Sequence, residues 1–310
     1  MDQITNWLLE GDAAIRWQTQ RDLLNAPEST WQAEQQSTVE TGWGARLLAL
    51  QDADGGWGGG IYAPKWTSAT YTLLALRSMG VPRDCAAAQR GARLVVEKLL
   101  GASNDVAFRR KLIACDRCIV GMILQIAVYF GIDDERIECI VDNLLSESMP
   151  DGAWNCRRHR SPKPHHSSFH TTFNVLEGLR TYLETGKGLR HKDVLAAEQG
   201  ALELMLQHRL FKSDKTGEII NPKFTKFALP HFRWQYDVLR GLDYFARANA
   251  PRDNRLQDAI DLLITSRRDD GLWSVQQQYS GKVFFTMEKI GGPSRWNTLR
   301  ALRVLRWWNG

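Results

Sequence analysis

Asp116 and Cys118 stand two residues apart in Ala114-Cys115-Asp116-Arg117-Cys118-Ile119-Val120-Gly121, where a strongly apolar stretch begins. A second stretch, residues 165–172, ends in Phe169-His170-Thr171-Thr172 and opens another apolar run. Carboxylate, thiolate and imidazole form a ligand set for Zn²⁺, which favours tetrahedral N, S and O donors and keeps one position open when catalytic. Such an ion can take a thiol or water as its fourth ligand, lower its pKa and present it as a nucleophile. The expectation is that the fold brings Asp116, Cys118 and His170 together around Zn²⁺. Plainer roles compete for each residue. Asp is a preferred helix N-cap, free Cys is among the most buried residue types, and a His on an apolar helix is by default a hydrogen-bonded core residue. Cys115 and Cys118 also form a Cys-X-X-Cys pair that, with Cys156 and a His, would suit a structural Cys₃His zinc. Cys156 and His166 are reserve ligands.

The bulk of the chain sets the setting for that chemistry. Of its 310 residues, 43% are hydrophobic and 24% charged, as in globular proteins. No apolar run reaches the roughly 20 residues that span a bilayer. The first residues, Met1-Asp2-Gln3-Ile4-Thr5, lack a basic segment leading into an apolar one, so no secretory signal is expected. Five cysteines, an odd number in so long a chain, do not read as a disulfide framework, and a reducing cytoplasm is the expected location. A net charge of +5 suits an anionic substrate such as a diphosphate. No nucleic-acid motif accompanies it. Twelve tryptophans call for a large core or an aromatic-lined cavity.

The elements that would position the ligands read as helices throughout. Residues 1–44 carry two helices, the first run stopped by Asn25-Ala26-Pro27. Residues 45–310 hold a recurring unit of helix, Gly- or Pro-rich loop and more apolar helix, in five copies: 45–80, 92–131, 138–186, 198–248 and 256–309. The loops are Asp54-Gly55-Gly56-Trp57, residues 101–107, Asp151-Gly152-Ala153-Trp154, Thr216-Gly217-Glu218 and Asp270-Gly271-Leu272-Trp273. Successive copies end at Gly80, Gly131, Gly186 and Asn249, spaced by 51, 55 and 63 residues. Repeats of this length built from two helices mean an α-helical array. Residues 119–130 are apolar on nearly every side and should be buried all round, whereas residues 138–148 keep a polar stripe. Five to six such hairpins close naturally into two concentric rings, an all-α, α/α-toroid domain spanning 1–310.

The Asp-Gly-X-Trp loops and the segment Phe169-His170-Thr171-Thr172-Phe173-Asn174-Val175-Leu176-Glu177-Gly178-Leu179 resemble the α/α-toroid superfamily of squalene and hopene cyclases and protein prenyltransferase β subunits. The resemblance covers roughly residues 45–310. It implies one of two chemistries. The cyclase branch uses the middle Asp of an Asp-X-Asp-Asp motif, and Asp52-Ala53-Asp54-Gly55, Gly131-Ile132-Asp133-Asp134 and Asp269-Asp270-Gly271 all fail to supply it. The prenyltransferase branch holds zinc with an Asp-X-Cys at the start of one inner helix and a His about one repeat later. Asp116-Arg117-Cys118 is similar to the first part, and His170, 54 residues on, to the second. Arg110 falls where that family has a diphosphate-binding Arg, while Ile113 replaces a Lys of the family's pattern.

Other polar and aromatic residues recur near the start of each second helix: Trp66 and Tyr71; Arg157, Arg158 and Arg160; His231, Arg233, Tyr236 and Asp237; Ser294, Arg295, Trp296 and Asn297. Parallel second helices would gather them at one mouth, with positive helix N-termini, Arg233 and Arg295 facing an anion above an aromatic pocket. Trp57, Trp154 and Trp273 read as packing residues between repeats. The row Arg300, Arg303, Arg306 reads as a solvated face, and residues 159–166 as a loop over the mouth. The resulting expectation is a zinc-dependent, prenyltransferase-like transferase for an isoprenoid diphosphate or similar apolar anion. Asp116, Cys118 and His170 would hold the metal, Arg110, Arg233, Arg295, Trp66, Tyr71, Trp296 and Asn297 the substrate, and Tyr236 and Asp237 would handle protons. The resemblance allows a partner subunit, but nothing in the sequence indicates one. The rivals are a cyclase-like enzyme with another acid, a carbohydrate-active barrel using two carboxylates such as Asp237 and Glu288, and a non-catalytic helical scaffold.

Overall fold

The computed structural model describes residues 2–156, 163–229 and 233–310, and every regular element among them is a helix. The early helices are α1 (Gln3–Leu9), α2 (Ala13–Asp22), α3 (Glu28–Gln36), α4 (Gly42–Leu48) and α5 (Ala69–Met79). They are followed by α6 (Ala86–Leu99), α7 (Val106–Ala114), α8 (Arg117–Tyr129), α9 (Glu135–Ser146) and α10 (Phe169–Leu183). The last are α11 (His191–Gln207), α12 (Val238–Arg247), α13 (Gln257–Thr265) and α14 (Arg295–Asn309). None is long and apolar enough to cross a membrane. Arg157, Arg158, His159, Arg160 and His231, expected at or over the mouth, lie outside the described residues.

Local chemistry sets the boundaries. Asp12 accepts a hydrogen bond from Ala14 N at 3.0 Å and starts α2, and Pro27 starts α3, so the N-terminal region holds more helices than the expected two. Asp105, Asp134, Ser168, Asp237 and Ser294 cap α7, α9, α10, α12 and α14 in the same way. The expected repeat ends are helix stops: Gly131 closes α8 at φ 77° and Asn249 follows α12 at φ 47°, left-handed conformations that Gly and Asn tolerate. Helix α7 starts at the end of the expected loop 101–107 and adds a helix that the second copy was not expected to hold.

The chain divides into two compact units. One comprises Met1–Leu50, Ala75–Pro82 and Leu206–Gly310, the other Gln51–Leu74 and Arg83–Met205. The unit containing α8 and α10 is organised around that pair. Nearly all of α8 is buried, as its all-round apolar sequence demands. Around it, α9 buries Ile137, Ile140, Val141 and Leu144 and leaves Asp142 exposed. A Cβ on Gly121 would meet Asn174 O at 2.4 Å, and one on Gly178 would meet Gly121 O at 2.5 Å, so the two backbones touch. Gln125 donates to Glu177 at 3.2 Å one turn further along. Positions 121 and 125 thus pair in ascending order with 174 and 177, and α8 and α10 run parallel with their N-termini together.

The tryptophan loops use one device in each unit. Trp154 donates its indole N–H to Leu144 O at 2.7 Å, its backbone N–H to Thr172 Oγ1, and accepts from Ser168 N. In the other unit, Trp273 donates to Leu263 O at 2.8 Å and to Thr298 Oγ1, and accepts from Ser294 N. Trp57, Trp154 and Trp273 are fully buried packing residues. The indole closes the end of a first helix while its backbone seats the start of the second.

Candidate thiol and metal site

The parallel register of α8 and α10 delivers the second-helix starts to one place. Asp116 occupies the N-cap position of α8, yet its carboxylate makes no capping hydrogen bond to the helix. The corner before it is held by Arg117. This buried guanidinium donates to Leu112 O at 2.9 Å and Ile113 O at 2.7 Å, and also to Cys115 O and Asn143. The Leu112 and Ile113 carbonyls lie in the last turn of α7, where the helix itself supplies no donors.

Cys118 and Cys156 meet here. The backbone N–H of Cys118 donates to Cys156 Sγ at 3.2 Å, and the Thr171 hydroxyl donates to the same sulfur at 3.3 Å. The Cys118 thiol is also donated to Cys156, which draws Cys156 down and Cys118 up from the ordinary thiol range. The pair therefore holds one thiolate more readily than two separate cysteines would. Asp116 is near enough to oppose ionisation of both sulfurs. Burial pushes Cys115 up to about 12, so it is the inert member of the Cys-X-X-Cys pair. All five cysteines are free thiols.

An aromatic group adjoins the thiols. Tyr62 and Tyr71 have ring centroids 5.4 Å apart, and Trp66 sits edge-on to Tyr71 at 4.8 Å. Lys65 Nζ lies 5.4 Å from the Tyr62 ring and 5.8 Å from Trp66. Burial raises the Tyr62 phenol to about 12, and the potentials of Cys118, Cys156 and Asp116 add to the rise. Tyr62 and Lys65 carried no motif or periodicity that would have marked them.

Of the expected ligands, His170 is half-buried on the first turn of α10, next to Thr171, and its carbonyl accepts from Asn174 Nδ2 at 2.6 Å. His166 is exposed, and its carbonyl accepts from Asn155. Among the described residues, no three His, Cys, Asp or Glu side chains stand in an arrangement that would hold a metal ion. The donor types suit zinc and three of them share one corner, but the side chains as placed do not form a closed cage. Arg110 is exposed on α7.

The remaining expected residues belong to the other unit and are engaged in packing. Tyr236 is fully buried and donates its hydroxyl to Leu210 O at 2.8 Å. Asp237 accepts from Arg240 N at 2.8 Å and Ala228 N at 3.0 Å, and burial raises its pKa. Glu288 accepts from Arg295 N at 2.8 Å at the start of α14 and is likewise raised by burial. Both carboxylates act as backbone caps. Arg295 donates to Trp7 O at 2.9 Å and lies over the Trp7 ring at 4.3 Å. Trp296 stacks with Trp43, and Asn297 Nδ2 donates to Ser274 O at 3.0 Å. Arg233 donates to Tyr279 O at 3.1 Å, and desolvation lowers it to about 10.

The arginine row on α14 corrects the expectation of a solvated face. Arg300 is 2% exposed, and its guanidinium approaches Asp243 at 3.6 Å. Arg303 bridges Asp22 at 2.6 Å and Asp243 at 2.7 Å. Only Arg306 is exposed, and it donates to the carbonyls of Asp22 and Leu23. These partners come from α2 and α12, which no spacing within α14 could announce.

The chain matches no protein-family model, and no curated protein matches it.

Proposed function

We propose that the chain is a prenyltransferase-like transferase for an isoprenoid diphosphate or another apolar anion, with zinc held by Asp116, Cys118 and His170. The observation that supports this reading best is the convergence of the α8 and α10 starts on Asp116, Cys118 and Thr171. The same register and the repeated tryptophan device support an α/α toroid as the architecture. Five free thiols suit a cytoplasmic setting.

When bound, zinc would lower the pKa of an acceptor thiol or water. The protein's own groups would do the rest. Cys118 and His170 would ligate the ion from helix starts that Arg117, Gly121 and Trp154 hold in place. Tyr62, Trp66 and Tyr71 offer an apolar wall for an isoprenoid chain, and Lys65 a cation for its diphosphate. The acceptor sulfur or oxygen attacks the allylic carbon, the carbon–oxygen bond breaks, diphosphate departs, and the acceptor proton goes to solvent.

The test is diphosphate release from an allylic isoprenoid diphosphate in the presence of a small thiol. Release should require added zinc and should fall by more than about 100-fold in Cys118→Ser, the scale for losing a metal-activated nucleophile. Equal release without zinc, equal release by that variant, or no release from any allylic diphosphate would refute the proposal.

A further inference from the structure

Cys118 and Cys156 are 38 residues apart in the chain and touch in the fold. The Cys118 backbone N–H donates to Cys156 Sγ at 3.2 Å, which puts Cys118 Cα within about 4.7 Å of that sulfur. A cysteine sulfur swings on a single methylene, so the Cys118 sulfur is within reach of the ~2.05 Å bond of a disulfide. Cys156 is held in place for it. Its backbone N–H donates to Thr171 Oγ1 at 3.3 Å, and that hydroxyl donates to its sulfur at 3.3 Å. Two residues earlier, Trp154 is fully buried and bonded to Leu144 O at 2.7 Å. Both thiols are half-buried, which leaves them open to a small oxidant. Cys139, by contrast, donates its thiol to Asn104 Oδ1 at 3.4 Å.

We propose that Cys118 and Cys156 are an oxidative modification site, joined by a reversible disulfide when the protein meets a peroxide. The Cys156 sulfur, which accepts from an N–H and an O–H donor, attacks one peroxide oxygen. The oxygen–oxygen bond breaks, and one water leaves with the thiol proton, so that Cys156 becomes a sulfenic acid. The Cys118 sulfur then attacks the sulfenic sulfur, the sulfur–oxygen bond breaks, and a second water leaves. Two thiols have lost two electrons and two protons, and one peroxide has become two waters. A small dithiol reverses the bond by exchange through a mixed disulfide. The bridge pins the first turn of α8 to the loop that follows Trp154. In a reducing compartment a bond of this kind is transient and reports oxidant. The modification needs no metal and stands independently of the zinc reading above.

The test treats the full-length protein with an equimolar amount of hydrogen peroxide in the presence of a chelator, then counts free thiols after unfolding. Wild type should lose two of its five thiols and regain both with dithiothreitol. Trypsin cuts after Arg117 and so separates Cys115 from Cys118. Tandem mass spectrometry of the unreduced peptides should show Cys118 joined to Cys156. Cys118→Ser should instead leave Cys156 as a sulfenic acid that dimedone traps, and Cys156→Ser should form no bridge. Cys115→Ser should bridge as wild type does, with circular dichroism checking the fold of each variant. Five thiols retained by wild type, or Cys118 joined to Cys115 in place of Cys156, overturns the proposal.

Discussion

Arg117 illustrates how a single side chain fixes the site's geometry. Its guanidinium is 3% exposed and serves carbonyls at the end of α7 as well as Asn143 of α9. Replacing it with Met of similar length leaves the buried Leu112 carbonyl without its donor, at a cost of roughly 1–3 kcal/mol. Arg117→Met is therefore expected to lower unfolding free energy by about 2 kcal/mol in urea titrations, with a loss of zinc affinity as the corner loosens. A change below about 0.5 kcal/mol, typical of an exposed residue, would contradict this role. Thr171→Val tests the neighbouring contact. It removes the hydroxyl from Cys156 Sγ and should weaken zinc binding by about 10- to 100-fold in chelator competition, the range for outer-shell partners, while the fold stays intact. At this scale the sequence marked Asp116, Cys118 and His170 as ligand types at the opening of apolar runs, and the fold brings Cys118 to Cys156 and Thr171. Tyr62 and Lys65 were not marked, since their place depends on the path of a loop that has no period to read.

At the scale of elements, the pairing of α8 with α10 depends on two glycines. Gly121→Ala would put a methyl group 2.4 Å from Asn174 O, which forces the helices apart. Overpacking of this kind costs about 1–3 kcal/mol, and it separates Cys118 from Cys156 as well. The variant should lose both stability and zinc affinity, measured by thermal unfolding with and without zinc. An unchanged zinc-induced rise in Tm would show that the helix contact does not set the site. The α8 helix itself was readable from its continuous apolar sequence, and the repeat ends from Gly and Asn at left-handed positions. Helix α7 was not readable, because Arg109, Arg110 and Lys111 break up its apolar spacing and its start depends on the Asp105 cap. The tryptophan loops announced their packing role, but the hydrogen-bond pattern shared by Trp154 and Trp273 emerges only in the folded chain.

Across the whole molecule, the sequence conveyed the all-helical class and left the long-range ion pairs hidden. The α14 arginines look like a surface row at i, i+3 and i+6, and only the fold shows that Asp22 and Asp243 face two of them. Burial alone would raise Asp22, but Arg303 and Arg21 outweigh it and hold the carboxyl below its ordinary value. A carboxylate depressed in the folded state contributes stability that is fully present above its unfolded pKa, about 3.9, and is lost as pH falls through the folded value. Asp22→Asn should therefore lower Tm at pH 7, and its deficit relative to wild type should shrink below about pH 4. A deficit that stays constant down to about pH 2 would assign the loss to packing instead of charge.

The central claim is that the starts of α8 and α10 build a zinc site. Elemental analysis of zinc-reconstituted, desalted protein tests it most directly. About one zinc per chain is expected in wild type, and a loss of nearly all of it in both Cys118→Ser and His170→Ala. A wild-type protein that retains no zinc, or variants that retain as much as wild type, would contradict the account.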